Sequence, residues 1–174
     1  MGKIYTKGGD KGETGTFQGR MSKADDLAEV LGSIDELNCW IGVCRGEIKS
    51  STEKIDTELK RMQGNLMTAA SIFAGKELSF GSYEVRRLER LIDKLTEDLP
   101  PLSNFIYPAG YLQVARAVCR KAERRAVAIS GLDGKKGREY KKILKYLNRL
   151  SDTLFVIGRW TAKKEGRPEE KWKG

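Results

Sequence analysis

Residues 24–48 read ADDLAEVLGSIDELNCWIGVCRGEI, and the spacing of their apolar side chains decides the fold. Leu27, Val30, Ile34, Leu37, Ile41, Cys44 and Ile48 recur at alternating steps of three and four. That is the rhythm of an α-helix with one buried stripe, and its mean period of about 3.5 residues keeps the stripe facing a neighbouring helix. Four more stripes follow: Ile55, Leu59, Met62, Leu66, Ala69 and Phe73; Val85, Leu88, Ile92, Leu95 and Leu99; Ala115, Val118, Ala122, Ala126 and Ile129; and Ile143, Leu147, Leu150, Leu154 and Ile157. No segment shows sustained alternation of β-formers. The expectation is an all-α, left-handed up-down five-helix bundle with an N-terminal Gly/Thr-rich loop.

The breaks between stripes carry suitable punctuation. Ser50-Ser51-Thr52 can cap the second helix, with Glu53 and Asp56 near its positive end. Gly75 and Gly81 bracket the next break, and Pro100-Pro101 ends the third helix because proline lacks the N–H and clashes with the preceding turn. Gly131, Gly134 and Gly137 separate the fourth helix from the fifth. Short connections make sequential helices antiparallel, except across the longer Pro100–Gly110 crossing. The chain divides as one domain over 1–174: a loop at 1–22, the bundle at 23–162 and a charged tail at 163–174 that is expected to fray.

Composition narrows the chemistry. The 174 residues can bury a real core, and no apolar run approaches a membrane span or a signal sequence, so a cytoplasmic location is expected. Histidine is absent, which removes imidazole base catalysis and most catalytic zinc sites. Cys39, Cys44 and Cys119 lie in helical apolar patterns without CxxC spacing and read as small buried hydrophobes; no metal site is expected. The net charge of +9 favours anionic partners without choosing among nucleotides, other cofactors and nucleic acid.

Three stretches can carry chemistry. Thr6-Lys7-Gly8-Gly9-Asp10-Lys11-Gly12-Glu13-Thr14-Gly15-Thr16 contains no apolar side chain. Glycine reaches positive φ freely, so successive N–H groups can converge on one anion, as phosphate binding needs. It is neither a Walker A motif nor a dinucleotide fingerprint. In the fourth helix Arg116, Arg120 and Arg124 stand at i, i+4 and i+8, where their charges repel unless an anion intervenes. Lys121 and Arg125 lie off this line and read as solvated. In the fifth helix Asn148, Ser151, Asp152 and Phe155 share a face, as a pocket wall or as interhelical hydrogen bonding. Asp35 and Asn38 flank the first helix's seam; a half-buried Asp35 would need a cation, and the arginine row is the nearest candidate.

These motifs together resemble the PduO-type ATP:cob(I)alamin adenosyltransferases. The resemblance runs through KIYTKGGDKGETGTF (3–17), SKADD (22–26), GSIDELN (32–38), FIYPAG (105–110), VARAVCRKAERR (114–125) and YLNRLSDTLF (146–155), and covers nearly the whole chain. It implies a homotrimer with active sites between subunits. It implies that Thr6, Lys7, Gly8, Gly9, Thr14 and Gly15 wrap the phosphates of ATP, joined by Lys23. Arg120 and Arg124 would bind the triphosphate and, with Asp35, form the catalytic set, Asp35 being the intersubunit salt-bridge partner of Arg120. Lys121, Ala122 and Glu123 would belong to the same nucleotide-contacting turn, Arg116 to the turn before it, and Asn148 would hold the nucleotide. Phe155 and Phe105 would be apolar walls near the corrin. One departure stands out: many relatives carry a longer glycine- and serine-bearing stretch before the arginine helix, whereas here Pro108-Ala109-Gly110 runs almost directly into Tyr111-Leu112.

The implied reaction moves the 5′-deoxyadenosyl group of ATP to the cobalt of cob(I)alamin and releases triphosphate, with Mg²⁺ accompanying the nucleotide. Reduced cobalt is itself the nucleophile, so no histidine is required. A corrinoid reductase and an adenosylcobalamin-dependent enzyme are the implied partners, with no nucleic acid and no membrane. Two other readings remain at this stage. A nucleic-acid-binding helical protein accounts for the charge but not for the glycine loop, and a scaffolding bundle needs no such loop.

Overall fold

The computed structural model describes residues 3–48, 53–129 and 134–173. Strands β1 (Glu13–Thr16) and β2 (Gly19–Ser22) form an antiparallel hairpin in which Thr14 pairs with Met21 and Gly15 with Arg20. Five helices follow: α1 (Asp26–Glu47), α2 (Glu53–Phe73), α3 (Tyr83–Thr96), α4 (Tyr111–Ala128) and α5 (Gly134–Lys164). The Ser50–Thr52 cap and the Gly131 break lie outside the described residues. Gly134 opens α5, but Gly137 is buried inside it rather than in the connection.

Side-chain pairs fix the helix directions. Arg45 near the end of α1 bonds Asp56 near the start of α2 at 2.7 Å. Arg87 of α3 pairs with Glu58 of α2, and Arg61 of α2 with Glu84 of α3. Arg125 of α4 reaches Glu29 of α1, and Cys119 of α4 donates to the carbonyl of Leu147 in α5. Each pairing runs antiparallel. Arg149 with Glu89 and Trp160 with Asp98 show α5 parallel to α3. The result is an up-down-up-down-up bundle in which α1 lies between α2 and α4, and α5 between α4 and α3.

All five apolar stripes face the core. Val30, Leu37, Ile41, Leu59, Leu66, Ala69, Ala115, Ala122, Ile143, Leu147, Leu150, Leu154 and Ile157 have no accessible surface. Alanines along α4 admit the neighbouring helices closely, and Cys119 and Cys44 fill small gaps. Burial pushes the Cys44 thiol up to about 11 and the Cys119 thiol higher still. Cys39, by contrast, is exposed, because it stands off the stripe. The core also holds aromatics outside the stripes: Tyr140 packs on Phe73, and Tyr146 sits edge-on to Phe80. No described helix is long and apolar enough to cross a membrane.

Both ends of the bundle are tied down by chain that leaves a helix through a left-handed glycine. Gly75 (φ 99°) closes α2: its N–H bonds the carbonyl of Ile72, and that of Lys76 bonds the carbonyl of Ser71. The hairpin docks there, with Phe17 N–H donating to Ala74 O at 3.0 Å and Lys76 over the Phe17 ring. Gly166 (φ 70°) closes α5 in the same way. The tail beyond it does not fray. It turns back and pairs with the α3–α4 crossing, Tyr107 N–H to Glu170 O at 2.9 Å and Trp172 N–H to Phe105 O at 2.8 Å.

Candidate active site

The Gly/Thr loop is held by cations of its own. Lys23 donates from Nζ to Gly9 O at 3.0 Å, and its backbone N–H bonds Gly12 O at 2.8 Å. Arg20 forks between the Gly8 carbonyl and the Glu13 carboxylate. Gly8 N–H donates to Thr6 Oγ1, and Lys7 adopts the left-handed φ of 58°. A Cβ at position 9 would stand 2.9 Å from Lys23 Nζ, so a side chain there would push the lysine end off the Gly9 carbonyl. Thr14 and Gly15 lie in β1 rather than in irregular loop, and nothing lies within 4 Å of the space a Gly15 side chain would take. Arg20 was not legible as an organiser: only the fold brings it back across the hairpin.

On α4 the cations divide between two faces. Lys121 pairs with Glu36 and Arg125 with Glu29, so both clamp α4 to α1 rather than standing free in solvent. Arg120 and Arg124 are exposed and form no ion pair among the described residues. Ala122 is buried between the helices. Glu123 accepts from Asn148 Nδ2 at 2.9 Å, which brings those two residues together across the α4–α5 seam. One turn up, Arg116 donates to Gln113 Oε1 at 2.8 Å and lies over the Phe155 ring, 5.9 Å from its centroid. Gln113 is buried and also donates to Phe155 O. Nothing in the sequence pattern singles out Gln113, and only the fold shows this second contact to the aromatic.

Other expected members sit apart. Asp35 is exposed, not half-buried, and has no ion pair among the described residues. Ser151 is buried and bonds the Asn148 carbonyl, while Asp152 turns to Arg149. Phe105 lies on the α3–α4 crossing, exposed, with its ring edge-on to Trp172 at 6.3 Å.

These placements define an axis. The glycine loop and the C-terminal end of α4 lie at the same end of the bundle, since the loop docks on the end of α2 and Arg125 reaches the start of α1. Phe155 and Phe105 lie toward the other end. Arg124 to Arg116 spans about 12 Å along α4. The surface therefore passes over that length from the cationic end of α4 to the aromatic side chain of Phe155.

The sequence profile of the cobalamin adenosyltransferase family matches residues 4–161. The chain belongs to the cobalamin adenosyltransferase family. It is an enzyme that transfers the adenosyl group of ATP to cobalamin. It is 40% identical over 187 residues to the corrinoid adenosyltransferase MMAB of Bos taurus, covering 98% of this chain and 76% of the bovine protein. It is 38% identical to the corrinoid adenosyltransferase of Bacillus subtilis, covering 90% of this chain and 85% of that one. A PduO-type ATP:corrinoid adenosyltransferase variant from Lactobacillus reuteri, solved in complex with cobalamin and ATP, superposes with a TM-score of 0.88. It shares 30% identity, covering 99% of this chain and all of that one. An arginine-to-lysine variant of the Lactobacillus reuteri enzyme complexed with ATP gives the same TM-score at 31% identity.

Proposed function

We propose that the glycine loop, the free arginines of α4 and the aromatic end of α5 form an adenosyl-transfer site completed by a neighbouring copy in a homotrimer. The observation that carries this reading is the division of cations on α4. Lys121 and Arg125 are spent on α1, while Arg120 and Arg124, one turn apart, are exposed and meet no acid among the described residues. Like charges so placed are stabilised by an anion, and arginine's planar fork suits phosphate oxygens. Asp35, equally without an ion pair among the described residues, is the matching carboxylate for Arg120 across the subunit boundary.

In this reading the loop residues Thr6, Lys7, Gly8, Gly9, Thr14 and Gly15 wrap the polyphosphate, with Lys23 holding the loop closed around it. Asn148 and Glu123, already hydrogen-bonded to one another, form the nucleotide-contacting edge with Lys121 and Ala122 behind them. Phe155, with Arg116 over its ring, and Phe105 wall the corrin. The two electrons that form the cobalt–carbon bond come from cobalt(I), which becomes cobalt(III). The C5′–O bond breaks, and its electron pair leaves with triphosphate. Arg120 and Arg124 stabilise the charge that grows on that leaving group. No protein base is consumed, in keeping with a chain that has no histidine. Among the described residues no three acidic or cysteine side chains converge, so Mg²⁺ would arrive on the triphosphate rather than in a protein cage. The reaction draws on ATP and on a reductase that delivers cobalt(I), which favours the cytoplasm, and its product would pass to an adenosylcobalamin-dependent enzyme.

The test is anoxic incubation of the chain with ATP, Mg²⁺ and chemically reduced cobalamin, followed by visible absorption. A new alkylcobalt spectrum with one equivalent of triphosphate is expected; unchanged cobalamin overturns the reading.

A further inference from the structure

The C-terminal segment was expected to be a solvated charged end, yet it is one of the more constrained loops in the molecule. Arg159 of α5 is buried, and its guanidinium makes three polar contacts: Nε to Glu169 Oε1 at 2.6 Å, Nη2 to Glu169 Oε2 at 3.3 Å and Nη2 to Pro100 O at 2.8 Å. A buried arginine with a single acidic partner holds that partner firmly, because separation strands a desolvated charge. Glu169 is thereby fixed, and the chain beyond it runs as an antiparallel bridge against the crossing, Ile106 opposite Lys171. Both flanking hydrogen bonds land on aromatic residues of the crossing, Tyr107 and Phe105. The Trp172 ring then meets the Phe105 ring edge-on. Arg159 also lies 5.9 Å from the centroid of Phe155. One buried cation therefore touches one of the two phenylalanines assigned to the corrin wall and anchors the segment that holds the other.

The crossing has little else to hold Phe105. Residues 100–105 form no regular element, Phe105 is 78% exposed, and Leu102, Ser103, Asn104 and Phe105 line an open recess of about 710 Å³ whose other side is Trp172 and Lys173. Without the tail this stretch would have the backbone freedom of a loop, and ordering it on binding would cost conformational entropy. The short link from Pro108 to Tyr111 gives no compensating structure on the α4 side.

We propose that residues 165–173 act as a strap that presets Phe105 for the corrinoid, with Glu169 and Trp172 as positioning residues and Arg159 as their anchor. The proposal rests on the reading that Phe105 walls the corrin. It predicts a dependence confined to the corrinoid, because the nucleotide residues lie at the opposite end of α4.

Apparent KM values for cob(I)alamin and for ATP, measured on the full chain, test it. The variants are Phe105→Ala, Trp172→Ala, Trp172→Phe, Glu169→Gln and the Phe105→Ala/Trp172→Ala pair. Trp172→Ala is expected to raise the corrinoid KM about fivefold while the ATP KM moves by less than about twofold, the size of one lost aromatic contact. Trp172→Phe should restore it, Glu169→Gln should reproduce the split at full helical content, and the double variant should be no worse than Phe105→Ala. Additive losses in the double variant, an equal rise in both KM values, or a normal Trp172→Ala beside an impaired Phe105→Ala would overturn the strap and leave the wall reading standing. A normal Phe105→Ala would remove the wall reading and the strap with it.

Discussion

Arg120 and Lys121 are neighbours in the chain and serve opposite surfaces. A helix turns about 100° per residue, so Lys121 reaches Glu36 on α1 while Arg120 faces away from it. Arg120→Ala or Arg124→Ala should therefore leave helix content unchanged, and Arg124→Ala the melting temperature too, while each lowers kcat by about 10²–10³-fold, the cost of losing one donor to a developing oxyanion. Steady-state kinetics beside circular dichroism checks this, and a variant that loses helicity would assign the residue to the fold. The i, i+4, i+8 spacing made the row visible in sequence. It could not show which cations were already engaged, because that depends on the acids of α1 brought alongside. A second residue-scale case is Glu84. Burial raises its carboxyl, but hydrogen bonds from Arg61, Asn65 and Tyr83 and the charge of Arg61 outweigh that and hold it below the ordinary value of 4.5. The stability it contributes is present in full above about pH 4.5 and lost as pH falls through the lowered native value. Melting temperatures taken between about pH 3 and pH 7 should drop at the acid end, and Glu84→Gln should be less stable at neutral pH with a shallower acid limb.

The helices were legible because each carries a continuous apolar stripe, and a stripe is a local property of the chain. The hairpin was not. Glu13-Thr14-Gly15-Thr16 and Gly19-Arg20-Met21-Ser22 have no buried face to alternate against, so periodicity is silent. Their order comes from docking on the α2 terminus and from Arg20 folding back on Gly8 and Glu13. The tail escaped for the same reason: its anchor, Arg159, is ten residues from Glu169 and far from Pro100 in sequence. Gly75 shows what the hairpin depends on. At φ 99° any L side chain is strained, and a Cβ there would also enter the space of the Gln18 side chain. Gly75→Ala should cost about 1–2 kcal/mol from the backbone alone. It should also displace the turn between β1 and β2, so the ATP KM rises while the corrinoid KM holds. Isothermal titration with ATP, read beside thermal melting, separates the two effects; unchanged ATP affinity in a destabilised variant would detach the hairpin from the nucleotide.

At the scale of the whole molecule, charge placement leads toward assembly. Within one chain ion pairs staple α1 to α2 and α4, α2 to α3, and α3 to α5, from Arg45–Asp56 to Arg149–Glu89. Asp35 and Arg120, on adjacent helices, make none among the described residues. If each completes a bridge with the other residue on a second copy, reversing one sign places like charges at every subunit boundary, and reversing both restores attraction. Asp35→Arg should therefore shift the chain from trimer to monomer in sedimentation at micromolar concentration, and so should Arg120→Asp. The doubly reversed chain should sediment as a trimer again. Turnover should not return with it, because an aspartate at position 120 would repel the triphosphate that arginine would hold in the proposed site. Assembly recovered without activity would separate the two duties of that arginine. A monomeric double variant, or a wild-type trimer in either single variant, would dissolve the pairing.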